Sequence, residues 1–253
     1  TNRFIANKKE WNVLASTPKP FDIVFISYDE LSADENFNKL KERFPRALRL
    51  HGIKGIHQAH IEAARLATTE MFWVVDADAI IDDNFNFEFD YIPFYNVQSR
   101  KMLRSIVHVW QSKNPVNNLI YGYGGVKLLP RELTMNMDTN TTDMTTSISS
   151  KFKAMPTVSN ITAFNTDPFS TWKSAFRECV KLSSKVIDGQ LDAETNSRLE
   201  TWCTVGTGEY GEYSILGALA GREYGQKNAS NKEALCKIND FTWLQDQWSL
   251  GKS

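Results

Sequence analysis

Over the first ninety residues the chain alternates between short apolar runs and amphipathic stretches. The first run, residues 21–28 (FDIVFISY), is entered through Pro18 and Pro20 and left at Asp29-Glu30, which predicts a strand. Ser32-Ala33-Asp34-Glu35 then has the spacing of a capping box, and Phe37, Leu40 and Phe44 form the apolar stripe of a helix that Pro45 ends. Residues 47–50 predict a short second strand, and a second helix follows over about 56–67. A third run, Met71-Phe72-Trp73-Val74-Val75, is too apolar to alternate and predicts a strand buried on both faces, ending at Asp76 and Asp78. Strand, helix, strand, helix, strand is the start of a doubly wound α/β sheet, whose ligands sit at the carboxyl ends of its strands.

Asp76 and Asp78, two residues apart, can both serve one site at the strand's carboxyl edge, where the chain is expected to turn. Their hard oxygens at such a turn suit a divalent cation, Mg²⁺ or Mn²⁺, that carries a substrate's phosphates. An Asp-x-Asp also arises by chance at polar strand ends.

Beyond the aspartates, Phe85, Phe87, Phe89 and Tyr91 alternate with polar residues and predict a half-buried strand over 85–91, its aromatics facing the core. Residues 103–110 (LRSIVHVW) predict another strand, with His108 as a satisfied buried histidine. Strands over 119–123 and 125–129 straddle Gly122, Gly124 and Gly125, glycines that let backbone approach a ligand or turn with positive φ. Residues 133–150, rich in Thr and Asn and without a period, predict a long loop, either an acceptor-side lid or a surface linker. Asp167 followed by Pro168 marks a helix start, and Phe169, Trp172, Phe176, Cys179 and Val180 supply that helix's buried stripe. Lys173, Arg177, Lys181 and Lys185 recur every four residues along it, either as a solvated face or as a first candidate for phosphate contact if the acceptor is DNA. Gly206-Thr207-Gly208-Glu209-Tyr210-Gly211 is a literal G-x-G-x-x-G ahead of an apolar helix over 214–224. So little chain remains for a βαβ unit that a dinucleotide site is rejected. Glu209 and Glu212 in that glycine turn remain possible base or acceptor contacts. A short helix over 6–14 is expected to dock outside the sheet, and the aromatic tail over 240–248 to pack back on the body.

The first strand, the Lys54-Gly55 turn opening a helix of small residues (Ala59, Ala63, Ala64, Ala67), and the apolar strand ending Asp76-Ala77-Asp78 together resemble the glycosyltransferases of the GT-A fold. The resemblance implies a Rossmann-like mixed sheet flanked by helices, with a helical C-terminal part. It also implies that Asp76 and Asp78 hold the metal against the diphosphate of a nucleotide sugar, a UDP-sugar by preference. Ser27, Tyr28 and Asp29 are then expected near base and ribose, Lys54, Gly55 and His57 near base or phosphates, and Gly124 and Gly125 beside the donor sugar. In inverting members a carboxylate near the acceptor is the general base, a role open to Asp167, which otherwise only caps its helix. Residues 114–131 and 166–179 are similar to blocks of phage GT-A enzymes, the TET-associated group and the hydroxymethylcytosine arabinosyltransferases, which implies hydroxymethylated pyrimidine in DNA as acceptor. The tail is similar to the Gln-x-x-Arg-Trp of processive synthases but lacks the Arg, so processivity is not carried over.

Composition narrows the picture. With 253 residues and 42% hydrophobic content, the chain can bury a full core as one catalytic domain, a nucleotide-sugar half over about 18–132 and an acceptor half over 133–253. No run approaches the roughly 18 apolar residues of a membrane span, and the polar start, which opens at Thr1, has no signal-peptide pattern. Cys179, Cys203 and Cys236, odd in number and far apart, favour a reducing compartment and thiols that stay reduced and mostly buried. A cytoplasmic setting follows, the host's if the chain is phage-encoded, and three Asn-x-Ser/Thr matches are read as chance. A net charge of −1 offers no general attraction to nucleic acid, so a DNA-acting enzyme would need a local basic patch.

Three functions remain open on sequence: a metal-dependent glycosyltransferase, another metal-using phosphate enzyme such as a nucleotidyltransferase or an Asp-nucleophile phosphatase, or a non-catalytic module with the same fold. The phosphatase would carry its Asp-x-Asp after the first strand, not the third. The nucleotidyltransferase would want a glycine-rich loop where Ile26-Ser27-Tyr28-Asp29-Glu30 stands.

Overall fold

A computed structural model describes residues 20–89, 102, 104–121, 124–186 and 192–251. The expected helix over 6–14 lies outside those residues. The opening strands and helices form as their patterns require: β1 (Asp22–Ser27), α1 (Ala33–Arg43), β2 (Leu48–His51), α2 (Ile56–Leu66) and β3 (Met71–Asp76). β2, β1 and β3 are parallel neighbours, with Val24 beside Leu48 on one side and Val74 on the other.

One helix start differs from expectation. Ser32 makes no capping hydrogen bond, because α1 instead buries Asn36, whose amide donates to the Ser32 hydroxyl at 3.3 Å and to the Ala77 carbonyl at 2.8 Å.

The sheet continues through β4 (Ala79–Ile81), β5 (Val107–Lys113), β6 (Ile120–Tyr121), β7 (Val126–Pro130) and β8 (Phe152–Thr162), in the order β2-β1-β3-β7-β5-β8-β4, with β6 paired to β5. This is a mixed, GT-A-like α/β sheet with helices on both faces. β7 runs antiparallel to β3, and β4 begins only three residues past the end of β3 yet lies at the opposite edge. The sheet therefore curls, and the concave side is filled by aromatics: Trp73 meets Phe85, Phe87 and Trp110 at centroid distances of 5.9, 5.3 and 4.6 Å.

Those aromatics are core, as their spacing suggested, but residues 85–89 are not a strand. Phe87 takes φ 54°, which breaks extended chain, and Phe85 and Phe87 are both buried. The fifth strand starts at Val107, later than the apolar run over 103–110 indicated, and His108 within it is buried against Phe89 at 4.8 Å. Burial, then the charge of Lys153, pushes His108 down to about 4, so it is neutral.

Residues 133–150 are not one loop. They hold part of α3 (Arg131–Met135) and all of α4 (Met144–Ile148), and they bury Met137, Met144 and Ile148 against the face of the sheet that α2 covers. A segment with three buried anchors is packed structure, which Thr- and Asn-rich spacing did not reveal.

The C-terminal part consists of α5 (Pro168–Ser184), α6 (Asp192–Thr204), α7 (Gly211–Lys227), α8 (Lys232–Cys236), a 3₁₀ turn (Lys237–Asn239) and α9 (Phe241–Leu250). α5 and α7 lie backbone to backbone. A Cβ at Gly217 or Gly221 would fall 2.3 Å from the carbonyl oxygen of Trp172 or Phe176, so the four-residue glycine spacing in α7 is what allows this approach. The aromatic tail packs back as expected, Trp248 lying 5.6 Å from Trp172. Cys179 and Cys203 are buried free thiols, and Cys236 is free and half-buried. No helix among the described residues is long and apolar enough to cross a membrane.

Candidate functional site

The two aspartates lie where β3 gives way to β4, and the backbone around them is tied down on three sides. The Asp76 amide donates to the Gly125 carbonyl at 3.0 Å, Asn36 holds the Ala77 carbonyl, and the Asp78 carbonyl accepts from the Ala163 amide at 2.7 Å. The residue before β7, the residue after β8 and α1 thus fix a two-residue turn, so the carboxylates are positioned by the fold around them. The chain turns at Ala77-Asp78, as expected at the edge of the strand.

Asp76 points to the face of the sheet that α2 covers, and there it meets a residue that the sequence reading passed over. The ammonium of Lys127, in β7, donates to both Asp76 oxygens at 2.9 and 2.8 Å. Register explains the meeting: Lys127 pairs with Val74, two residues before Asp76 and on the same face. The lysine side chain is 5% exposed and the aspartate 35%, so the carboxylate stands between the buried cation and solvent. Also on this face is His60, whose Nδ1 donates to the Ile56 carbonyl at 2.8 Å. Burial, reinforced by the charge of Lys127, pushes His60 down to about 4, and it is neutral.

Asp78 is raised to about 7, first by burial and then by the negative charges of Asp76 and Glu30. A cation held at these carboxylates would offset the repulsion that raises Asp78. No group of three or more metal-ligating side chains occurs among the described residues. The donor set therefore does not suit a resident metal, but it does fit one that arrives on a diphosphate, which supplies the remaining oxygens.

Beyond the carboxyl ends of β1 and β2 opens a cleft of about 520 Å³, lined by residues 28–31, Ala33, Asp34, Arg49 and His51. That volume is within the usual span for a nucleoside-sized ligand. Tyr28 and Asp29 line it; Ser27 does not, but is buried next to them, its hydroxyl bonded to two lining residues, His51 at Nδ1 and Arg49 at Nε, each at 3.0 Å. The Arg49 guanidinium also donates to Asp34 at 2.6 Å. Arg49 and His51 were missed because one strand-end Arg and one His carry no pattern by themselves.

The other expected donor-side residues are placed as follows. Gly55, at φ 91°, opens α2 with Lys54 exposed beside it. His57 is buried with its Nε2 at 3.0 Å from the Thr141 hydroxyl, so its ring ties α2 to the 133–150 segment. A Cβ at Gly124 would stand 3.7 Å from both Asp76 Oδ2 and Lys127 Cε, which puts this glycine over the ion pair. A Cβ at Gly125 would stand 2.1 Å from the Asn160 amide, so the absence of a side chain there leaves room for Asn160 of β8.

On the acceptor side, Asp167 caps α5, accepting from the Ser170 amide at 2.9 Å. Burial acts to raise its carboxyl, and the bonds from Ser170, Thr166 and Phe169 outweigh that and leave it lowered. A lowered, doubly engaged carboxylate is better suited to capping than to taking a proton. Glu209 is exposed and bonded to the Tyr210 phenol, which also feels Asp167, and Glu212 is exposed on the first turn of α7.

Of the basic stripe of α5, only Lys185 is exposed; Lys173, Arg177 and Lys181 are half-buried. Arg177 donates to the Ile238 carbonyl at 2.8 Å and to Asn239, Lys181 pairs with the buried Asp143 at 3.3 Å, and Lys185 pairs with Asp192. Lys173 lies 4.6 Å from the Phe241 ring. Burial and then Arg177 lower it, opposed by the charges of Asp167, Glu30 and Asp78. Helical spacing alone could not show this, because α9 and the turn before it cover the stripe.

No protein-family model matches the chain, and no curated protein matches it. Among solved structures, the mannosyltransferase PcManGT from Pyrobaculum calidifontis in complex with GDP-Man and Mn²⁺ is similar at a TM-score of 0.40 and 12% identity, over 88% of this chain and 79% of that one. HddC from Yersinia pseudotuberculosis is similar at a TM-score of 0.31 and 14% identity, over 55% of this chain and 90% of that one. A glycosyltransferase involved in the glycosylation of the major capsid of PBCV-1 is similar at a TM-score of 0.29 and 12% identity, over 72% of this chain and 99% of that one.

Proposed function

We propose that this chain is a metal-dependent glycosyltransferase that moves a sugar from a nucleoside diphosphate sugar, a UDP-sugar by preference, to a hydroxyl acceptor. The observation that carries the reading is the aspartate turn, held by Asn36, Gly125 and Ala163 at the carboxyl end of β3, beside a nucleoside-sized cleft at the ends of β1 and β2. In this arrangement Ser27, Tyr28, Asp29, Arg49 and His51 receive base and ribose. The diphosphate lies toward Asp76 and Asp78, with Gly124 leaving space above them. A bound Mn²⁺ or Mg²⁺ would offset the charge that develops on the departing nucleoside diphosphate. Lys173, whose charge is felt by Asp78, adds a positive charge in a partly water-excluded place, where it is worth more than in bulk solvent.

The finer reading of the acceptor is hydroxymethylated pyrimidine in DNA, supported by the sequence blocks at 114–131 and 166–179. Between the candidate bases, Glu209 is more open to an incoming hydroxyl than Asp167, whose oxygens are spent on the cap.

The test is to incubate the protein with a panel of sugar nucleotides, with and without Mn²⁺, and to measure free nucleoside diphosphate. Metal-dependent release from at least one donor is expected. Absence of release from every donor would overturn the reading in favour of a non-catalytic module. Label from the active donor is expected in hydroxymethylcytosine DNA and not in plain DNA or protein. The reverse distribution would reject the acceptor while leaving sugar transfer standing.

A further inference from the structure

The ion pair between Lys127 and Asp76 sets a condition on how the metal enters. Lys127 is the charged member of the run Val126-Lys127-Leu128-Leu129-Pro130, every residue of which is buried. Its ammonium spans both oxygens of the carboxylate that a divalent cation would need. Neutral His60 beside it contributes no charge. Among the described residues no other carboxylate lies within ion-pair distance of Lys127.

We infer that Lys127 is a positioning residue that keeps Asp76 neutralised until a diphosphate arrives, so that the divalent cation binds only together with the nucleotide and not to the protein alone. This rests on the diphosphate reading of the cleft. The physical ground is charge balance. Asp76 with Lys127 is a neutral pair, which leaves a metal only the Asp78 carboxyl, and it places a unit positive charge close to the incoming ion. The two or three negative charges of a diphosphate reverse that balance. The carboxylate, with lone pairs to spare, can then bridge lysine and metal. Gly124, which carries no side chain above the pair, leaves both partners within reach of phosphate.

Mn²⁺ binding, followed by the loss of the free-ion electron paramagnetic resonance signal, tests this without turnover. Wild-type protein alone is expected to bind no Mn²⁺ at millimolar concentration, and to bind it once UDP or GDP is added. Lys127→Met, which frees Asp76, is expected to bind Mn²⁺ alone at least about tenfold more tightly than wild type. Lys127→Arg keeps the charge and is expected to behave as wild type. Circular dichroism confirms that each variant is folded, and the wild-type titration stands even if Lys127→Met is not. Wild-type protein that binds Mn²⁺ equally well with and without nucleotide would overturn this inference and leave the proposed function intact. No Mn²⁺ binding with any nucleoside diphosphate would overturn both.

Discussion

Asp143 offers the most direct measure of what holds the two sides of the site together. It was unremarkable in a Thr-rich stretch, yet its side chain is 8% exposed, pairs with Lys181 at 3.3 Å, and accepts from the Thr146 amide and the Thr145 hydroxyl. Its neighbours extend the tie: Thr141 meets His57 on α2, and the Thr142 carbonyl accepts from Asn239 before α9. Burial alone would raise the Asp143 carboxyl. The charge of Lys181 and the bonds from Thr145 and Thr146 overcome that and bring it to about 2. A depression of that size below the ordinary carboxylate value corresponds to about 2 kcal/mol of folding stability. Asp143→Asn keeps the cap but removes the charge, so it is expected to lose about that amount at neutral pH in urea denaturation followed by tryptophan fluorescence. Because the folded value is the lower one, the contribution is present above the unfolded value near 4 and disappears as pH falls toward about 2. The gap between wild type and variant should therefore close over that window. A gap that persists unchanged to about pH 2, or that never exceeds about 0.5 kcal/mol at neutral pH, would refute the reasoning.

Three further outcomes follow from the aspartate turn. Asp76→Asn and Asp78→Asn are both expected to abolish metal-dependent donor cleavage, but only the first should destabilise the fold, by about 2 kcal/mol or more, because it strands the buried Lys127 ammonium. Equal melting temperatures for the two variants would contradict this. Asp78→Asn is expected to be more stable than wild type above about pH 7. The carboxyl raised to about 7 in the folded protein costs wild type stability as pH rises from near 4 through 7, and the amide escapes that cost. A thermal-melt difference that does not grow over that range would count against it. Gly125→Ala would drive a methyl into the Asn160 amide, which is buried and bonded to Ser112, Ser159 and Thr162, and should cost about 1 to 3 kcal/mol together with activity. A soluble variant of wild-type stability and rate would show that the Asn160 amide moves aside at little cost.

What the sequence determined by itself was local. Apolar runs with caps and breakers placed β1, α1, β2, α2 and β3 within a residue or two, since a continuous apolar run ending in polar chain has few other stable readings. Asp76 and Asp78 at the end of β3 were legible for the same reason, and so was Asp167 as a helix cap. The signal for Lys127 was present too, a lone charge in a buried run, but its partner is 51 residues away and only strand register joins them.

Tertiary structure decided the rest. β8 was unreadable because Pro156 interrupts it. It forms nonetheless, since its pairing with β5 skips from Met155 to Val158, and a proline tolerated at that irregularity donates no ladder hydrogen bond. The α5 stripe reads as a solvated face on any helical wheel, and became half-buried only when the 3₁₀ turn and α9 folded over Arg177 and Lys173. Sequence periodicity reports which way a side chain points along its own element. What it meets there depends on elements far along the chain, and that is where the charges around the aspartate turn acquire their partners.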